Sequence, residues 1–373
     1  MGLRRFPSGE GRTAKNLELD ICRHVDFVDD LMTGTTMIYG PPGSGKTSLA
    51  VRIAARAKGT ALWISTSENE EFFRKLLDRL NVAYDKFKFL HFPRAFHEEI
   101  ARYVLDHLEE HGILVIDSIN GIAGPNADIA DFFHSTFYQA AQEVPVMAIA
   151  ETPSRRLQYV VDHVVKVWHR INSMGHVIRY AQLVKSRKRP PSARYIFDIV
   201  QGVGIVYIKP VGRAIAESAE RIRDERLGVE TFRGAEVGVF SDSEGKIAEK
   251  IQPFLDDENA YLLVFSAFST SKRLKVPPER VVTVSTFNDL MKFYADVILG
   301  KVKPRYVVAT GLVPLENLRE GDSLEYLTAL GVISGYTELT IVADVVDLKK
   351  IKSNYIYQAM SENVVVLGEK GEA

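Results

Sequence analysis

Gly40-Pro41-Pro42-Gly43-Ser44-Gly45-Lys46-Thr47 fits the pattern G-x-x-x-x-G-K-[ST] at every fixed position, and its reading decides the fold of the chain around it. Glycines at this spacing let consecutive backbone N–H groups turn inward around an anion. A lysine at the end of the run reaches the β and γ oxygens of a nucleoside triphosphate, and the Thr47 hydroxyl is placed to ligate Mg²⁺. Gly40 through Ser48 is therefore the candidate ATP-binding segment. Its flanks agree. Thr36–Tyr39 reads as a short buried strand entering the loop and Ser48–Ala57 as an amphipathic helix leaving it, the order a phosphate-binding loop requires.

Length and composition set the bounds. With 373 residues, 46% of them hydrophobic and 25% charged, the chain is long enough for two domains with sizeable cores. A net charge of −1 gives no global field towards nucleic acid or membrane, so any such affinity must come from a local patch. The single cysteine, Cys22, excludes an intrachain disulfide and fits a reducing compartment. No apolar run approaches a membrane span, and Met1-Gly2-Leu3-Arg4-Arg5 is not followed by a signal-peptide core. A cytoplasmic α/β enzyme without membrane contact is the expectation.

From Thr35 to about Ile208 strand-like and helix-like segments alternate, which predicts a largely parallel sheet covered by helices. Strands are expected at 61–66, 87–92, 112–118 and 146–150, and helices at 70–80 and 96–108. Gly112–Ser118 is an apolar strand ending in Asp117, where P-loop enzymes place the acid that contacts Mg²⁺ or orders its water. The chain has no Asn-Lys-x-Asp base-reading motif of a GTPase. Asp117 is followed by Ser118 rather than by the Glu usual in AAA-type enzymes, so the general base must lie elsewhere. Glu68, just past the strand 61–66, falls at the carboxyl edge of the sheet, where it could polarise the attacking water. Glu70 and Glu71 compete for that role, though both also suit a helix N-terminus, and Glu151 is a further acid to test for it.

These residues resemble the RecA/RadA superfamily and, within it, the KaiC-like ATPases. The resemblance runs from Phe27-Val28-Asp29-Asp30-Leu31 through the hairpin Ala181–Arg187 to Gly204-Ile205-Val206-Tyr207. It implies hydrolysis of ATP with Mg²⁺ in a homo-oligomeric ring or filament. It also implies that Lys185 and Arg187, spaced Lys-x-Arg, reach the γ-phosphate of a neighbouring subunit, where a cation stabilises transition-state charge. The segment carries more cations than the pattern needs, Lys188 and Arg189 among them. The strand 146–150 ends in Glu151-Thr152-Pro153, which leaves the family's polar γ-phosphate sensor unassigned.

Beyond about Ala235 the same order recurs with its chemistry removed. Val237–Phe240 is the strand, and Ser241–Ile247 occupies the loop position, with Gly245-Lys246-Ile247 set against Gly45-Lys46-Thr47. The hydroxyl for Mg²⁺ is lost, and Asp242 and Glu244 repel phosphate. The strand 305–310 brings Thr310 to the position of Asp117. The expected organisation is an ATPase domain at 1–212, a charged linker helix at 213–234 and a degenerate RecA-like domain at 235–373.

Three functions follow from this reading: a KaiC-like ATPase acting on a protein partner, a recombinase relative binding single-stranded DNA, or a nucleotide-gated scaffold with little turnover. DNA binding would use Arg155 and Arg156 with Arg4, Arg5, Arg12 and Lys15, but the patch has few aromatics for stacking bases. The first function is favoured.

Overall fold

The computed structural model describes residues 25, 27–92, 102–104, 106–122, 128–208, 220–265, 270–313, 321–360 and 363–368. Two sheets organise them. The larger contains β1 (Thr35–Tyr39), β2 (Ala61–Ser65), β3 (Phe87–His91), β4 (Ile113–Asp117), β5 (Val146–Ala150), β6 (His163–Ile171), β7 (Val177–Ser186), β8 (Tyr195–Val200) and β9 (Gly204–Ile208), in the order β3-β2-β4-β5-β1-β6-β7-β8-β9. Its first six strands are parallel, and β7 to β9 extend the edge as antiparallel neighbours. The inner strands β2, β4 and β5 are buried along their whole length, which is why each is a continuous apolar run rather than an alternating one.

Helices cover both faces. α1 (Lys46–Ala54) leaves the loop, packs on β1, β4, β5 and β9, and buries Leu49, Val51 and Ile53 in the core of that face. α2 (Glu70–Leu80) is amphipathic: Phe73, Leu77 and Leu80 face the core, Asn69 caps it by accepting from the Phe72 N–H at 3.1 Å, and Asn81 ends it in the left-handed conformation. α3 (Ile129–Ala140) and the short α4 (Arg155–Val160) belong to the opposite face. Of the helix expected at 96–108, residues 102–104 and 106–107 are helical, and 93–101 and 105 lie outside the described residues.

The second sheet holds β12 (Ala235–Ser241), β13 (Ala260–Val264), β14 (Val281–Thr283), β15 (Tyr306–Thr310), β16 (Leu339–Val345) and β17 (Val364–Leu367), in the order β14-β13-β15-β16-β12-β17. Every pairing in it is parallel. Counted from its own first strand, this order repeats that of the first six strands of the larger sheet. α5 (Glu244–Leu255), α6 (Phe287–Ile298), α7 (Leu324–Ser334) and the short α8 (Tyr355–Ala359) pack on it. Before α8 a single helical turn, Ile351–Ser353, is separate from it, because the Asn354 side chain accepts from the N–H groups of Ile356 and Tyr357 and restarts the chain there.

The linker helix expected at 213–234 is not what the described part of that stretch forms; residues 213–219 lie outside it. β10 (Arg221–Asp224) and β11 (Val229–Phe232) form an antiparallel hairpin, closed where Asp224 accepts from the Leu227 N–H at 3.1 Å and Gly228 takes a φ of 73°. Leu227 enters the core of the second unit, and the Arg226 guanidinium lies 3.7 Å above the Phe254 ring centre. Arg226 thus packs on the second unit, whereas Arg221, Arg223 and Glu225 are exposed.

The two sheets share a core. Tyr180, Ile196, Val206 and Ile208 on the antiparallel strands of the first pack with Phe287, Tyr294, Tyr326 and Ile333 of the second. Polar groups lock the seam: Arg170 pairs with Asp322 and Glu325, which are 1% and 5% exposed, and the Asn172 amide donates to the Tyr326 hydroxyl at 3.0 Å.

Candidate functional site

The site is built where β1 ends. Gly40 follows Tyr39 so closely under β6 that a Cβ there would stand 1.7 Å from the Val167 carbonyl oxygen, which admits only glycine. Gly45, at φ 99°, turns the loop into α1. Between them Ser44 is fully buried, and its Oγ has no hydrogen-bond partner among the described residues. A buried, unpaired hydroxyl inside a ring of loop N–H groups is what a phosphate-binding cradle presents without its ligand. The Lys46 side chain folds over the loop, its Nζ donating to the Pro41 carbonyl at 3.0 Å. Burial lowers its pKa, and Asp117 and Glu151 oppose that shift.

Asp117 closes the opposite side. It ends β4 in register with Ser65, and the ends of β2 and β4 are tied by the Thr66 N–H donating to the Asp117 carbonyl at 2.8 Å. Its carboxyl accepts from the Thr47 hydroxyl. Burial pushes its pKa up to about 6; the Thr47 bond and Lys46 oppose this, and Glu68 and Glu151 add to it. Asp117 and Glu151 thus act on one lysine, and Glu68 acts on Asp117. Such a surplus of negative charge beside a hydroxyl and a phosphate cradle suits a divalent cation. No group of three or more His, Cys, Asp or Glu among the described residues could hold a metal alone. Thr47 and Asp117 would hold Mg²⁺ only together with phosphate oxygens and water, and the ion would neutralise charge developing on the transferred group.

The competing acids separate. Glu70 is held by Arg74 at 2.6 Å and by the Tyr84 hydroxyl at 2.7 Å, and Glu71 by Lys75 at 2.7 Å, all on the outer face of α2. Glu68 precedes the α2 cap, is exposed, and is fixed by its own N–H donating to Ser65 Oγ at 2.9 Å. Glu151, immediately after β5, has its N–H bonded to Asn120 Oδ1 at 3.3 Å and acts electrostatically on both Lys46 and Asp117. From sequence Glu151 was only a further candidate base after Glu70 and Glu71; its place follows from its strand ending beside β1, with Ala150 in register with Tyr39.

Lys185 and Arg187 are not brought to this loop. They sit where β7 pairs with the start of β6, which in turn pairs with Thr36, so they lie at the edge of the sheet opposite the phosphate loop of their own chain. The Lys185 ammonium donates to the carbonyls of Gln158, Tyr159 and Val161 at 2.5, 3.1 and 2.7 Å, capping the C-terminal end of α4. All three of its donors are used locally. Arg187 pairs with Asp162 at 3.1 Å and keeps a half-exposed side chain. Of the basic loop, Arg156 is paired with Asp128, whereas Arg4, Arg5, Arg12 and Lys15 lie outside the described residues.

The second unit has no cradle. β12 runs on to Ser241 and α5 begins at Glu244, so only Asp242 and Ser243 separate them, where Gly40 to Gly45 intervene in the first unit. Gly245 and Lys246 fall inside the first turn of α5 instead of forming a loop. Thr310 does end β15 as Asp117 ends β4. The carboxylate on this edge has moved one strand over: Asp344, fully buried on β16, accepts from the N–H groups of Gly311, Leu312 and Val313 at 2.5, 2.8 and 3.0 Å.

Residues 36–158, about a third of the chain, match the family model of the ATPase family associated with various cellular activities (AAA). The match spans the loop, Asp117 and β5, and it supports a P-loop nucleotide-binding domain. It names the branch against which the Asp117-Ser118 step argues, so it does not extend to the KaiC-like assignment. No match is found among curated proteins. Among solved structures, the flagellar accessory protein FlaH from Methanocaldococcus jannaschii is similar at 16% identity, covering 47% of this chain and 89% of that one, with a TM-score of 0.39.

Proposed function

We propose that the chain is a KaiC-like ATPase that binds ATP with Mg²⁺ at the Gly40–Ser48 loop, hydrolyses it, and assembles with further copies of itself to act on a protein partner. The observation that carries the reading is the convergence of Lys46, Thr47, Asp117, Glu68 and Glu151 around the mouth of one loop. In this reading the loop N–H groups and Lys46 hold the β- and γ-phosphates. Thr47 and Asp117 orient the metal side, and Glu68 takes the proton of the attacking water as general base. Arg187, with its half-exposed head at the far edge of the sheet, is the better candidate for a cation supplied to a neighbouring copy. Lys185 is committed to α4.

Two variants test the chemistry. Lys46→Ala should abolish ATP binding, whereas Glu68→Gln should retain binding and lower kcat by about 10²-fold or more. A wild-type rate in Glu68→Gln transfers the base role to Glu151, the remaining free acid at the mouth. Assembly is tested by size exclusion with and without ATP and Mg²⁺: nucleotide alone should enlarge the particle. Growth only on adding single-stranded DNA would support the recombinase reading, which the Arg156–Asp128 pair disfavours by neutralising part of the basic loop.

A further inference from the structure

We infer that the second unit braces the phosphate loop of the first through Asn288, a positioning residue for nucleotide binding; this rests on the reading of that loop as an ATP site. The last turn of the loop lies on a floor. A Cβ at Gly45 would stand 3.2 Å from two ring carbons of Phe197 and 3.7 Å from Cδ of Arg179, so the Phe197 ring lies directly beneath Gly45, close enough to crowd any side chain there, with the arginine stem beside it. Both floor residues are strand neighbours, Arg179 on β7 in register with Phe197 on β8.

The arginine is held by one carboxylate. Its Nη1 donates to Asp198 Oδ1 at 2.5 Å, while its Nε is buried without a partner among the described residues. Asp198 is 3% exposed and fully employed: Oδ1 also accepts the N–H of Ile199 at 2.8 Å, and Oδ2 accepts Asn288 Nδ2 at 2.8 Å. The same Asn288 amide donates to the Ile199 carbonyl at 3.0 Å, so it grips β8 at two points. Asn288 belongs to α6, in the second unit. The chain of contacts therefore runs by hydrogen bonds from Asn288 to Asp198 and Ile199, and along β8 to the adjacent Phe197 ring beneath Gly45, with Arg179 tied to Asp198 beside it.

Removing the amide leaves Asp198 Oδ2 buried and unpaired. The carboxylate must then turn, the arginine follows it, and the floor under Gly45 shifts. Loop N–H groups that converge on a phosphate tolerate little displacement, so the cost appears in nucleotide affinity. A unit without a loop of its own thereby becomes part of the ATP site.

The test uses the full chain and measures ATP affinity by calorimetry, steady-state kinetics and the thermal midpoint in Asn288→Leu, Asn288→Asp and Thr286→Ala. Thr286 forms the capping box of α6 with Asp289, so its loss weakens the helix while leaving the Asn288 amide in place. Asn288→Leu should weaken ATP binding by about three- to thirtyfold and raise KM with kcat unchanged. Asn288→Asp, which sets a carboxylate against Asp198, should weaken it further, and Thr286→Ala should lower the thermal midpoint without moving the affinity. If Asn288→Leu fails to fold, Asn288→Ser takes its place in the same comparison. Unchanged affinity in the Asn288 variants, or an equal loss in Thr286→Ala, overturns the brace alone. A wild-type chain that binds no ATP overturns the site reading and the brace with it.

Discussion

Six parallel strands run in the same order in both units, yet among the described residues only the first unit carries a phosphate cradle. The difference is confined to two places at the carboxyl edge. After the first strand, the first unit inserts Gly40 to Gly45 before its helix, whereas the second passes directly from Ser241 through Asp242 and Ser243 into α5. At the adjoining strand ends, the first unit keeps Asp117 beside Thr47, whereas the second ends β15 in Thr310 and turns the Asp344 carboxylate onto its own backbone. The order of parallel strands is set by buried apolar runs that pack regardless of the loops. Nucleotide chemistry depends on a few loop residues that contribute little to that packing, so it can be lost while the fold persists.

Exchanging the roles of the two acids should therefore give opposite outcomes. Asp117→Asn should lower ATPase turnover by about 10²-fold or more without lowering the unfolding midpoint at neutral pH, because in the proposed reading the carboxylate serves the metal side and its ionised form is disfavoured by its own burial. Asp344→Asn should leave turnover intact and destabilise the chain by about 2 kcal/mol, since an amide offers one acceptor oxygen to N–H groups that now share two. Equal effects of the two variants on stability would dissolve the contrast. A smaller effect is expected from pH. The pKa of Asp117 is raised to about 6, so the stability this carboxyl contributes is full below the ordinary carboxylate range and is lost as pH rises through about 6. In the same interval the ionised form becomes available to the metal. Mg²⁺ half-saturation of the ATPase should rise as pH falls below about 6, and calorimetric unfolding of Asp117→Asn should lack that share of the pH dependence.

Much of the first unit was legible. The loop is read from glycine spacing, β4 from an unbroken apolar run, and α2 as a helix-like segment at 70–80, whose caps Asn69 and Asn81 the structure adds. The remainder was hidden because it depends on contacts distant in sequence. Glu151 gains its place only because β5 pairs with β1, and Arg179, Asp198 and Asn288 meet only once the two units have packed. Lys185 read as a free cation because nothing local shows that the carbonyls of α4 lie beneath it. The hairpin at 221–232 did carry a local signal: Gly228, followed by the strand-prone Val229-Glu230-Thr231-Phe232, interrupts the charged run that reads as a helix.

Calorimetric titration of the full chain with ATP and Mg²⁺ tests the contrast between the units most directly. One nucleotide per chain, lost altogether in Lys46→Ala, is the result expected of one cradle and one filled edge. A stoichiometry of two, or binding that survives Lys46→Ala at unchanged affinity, would contradict it.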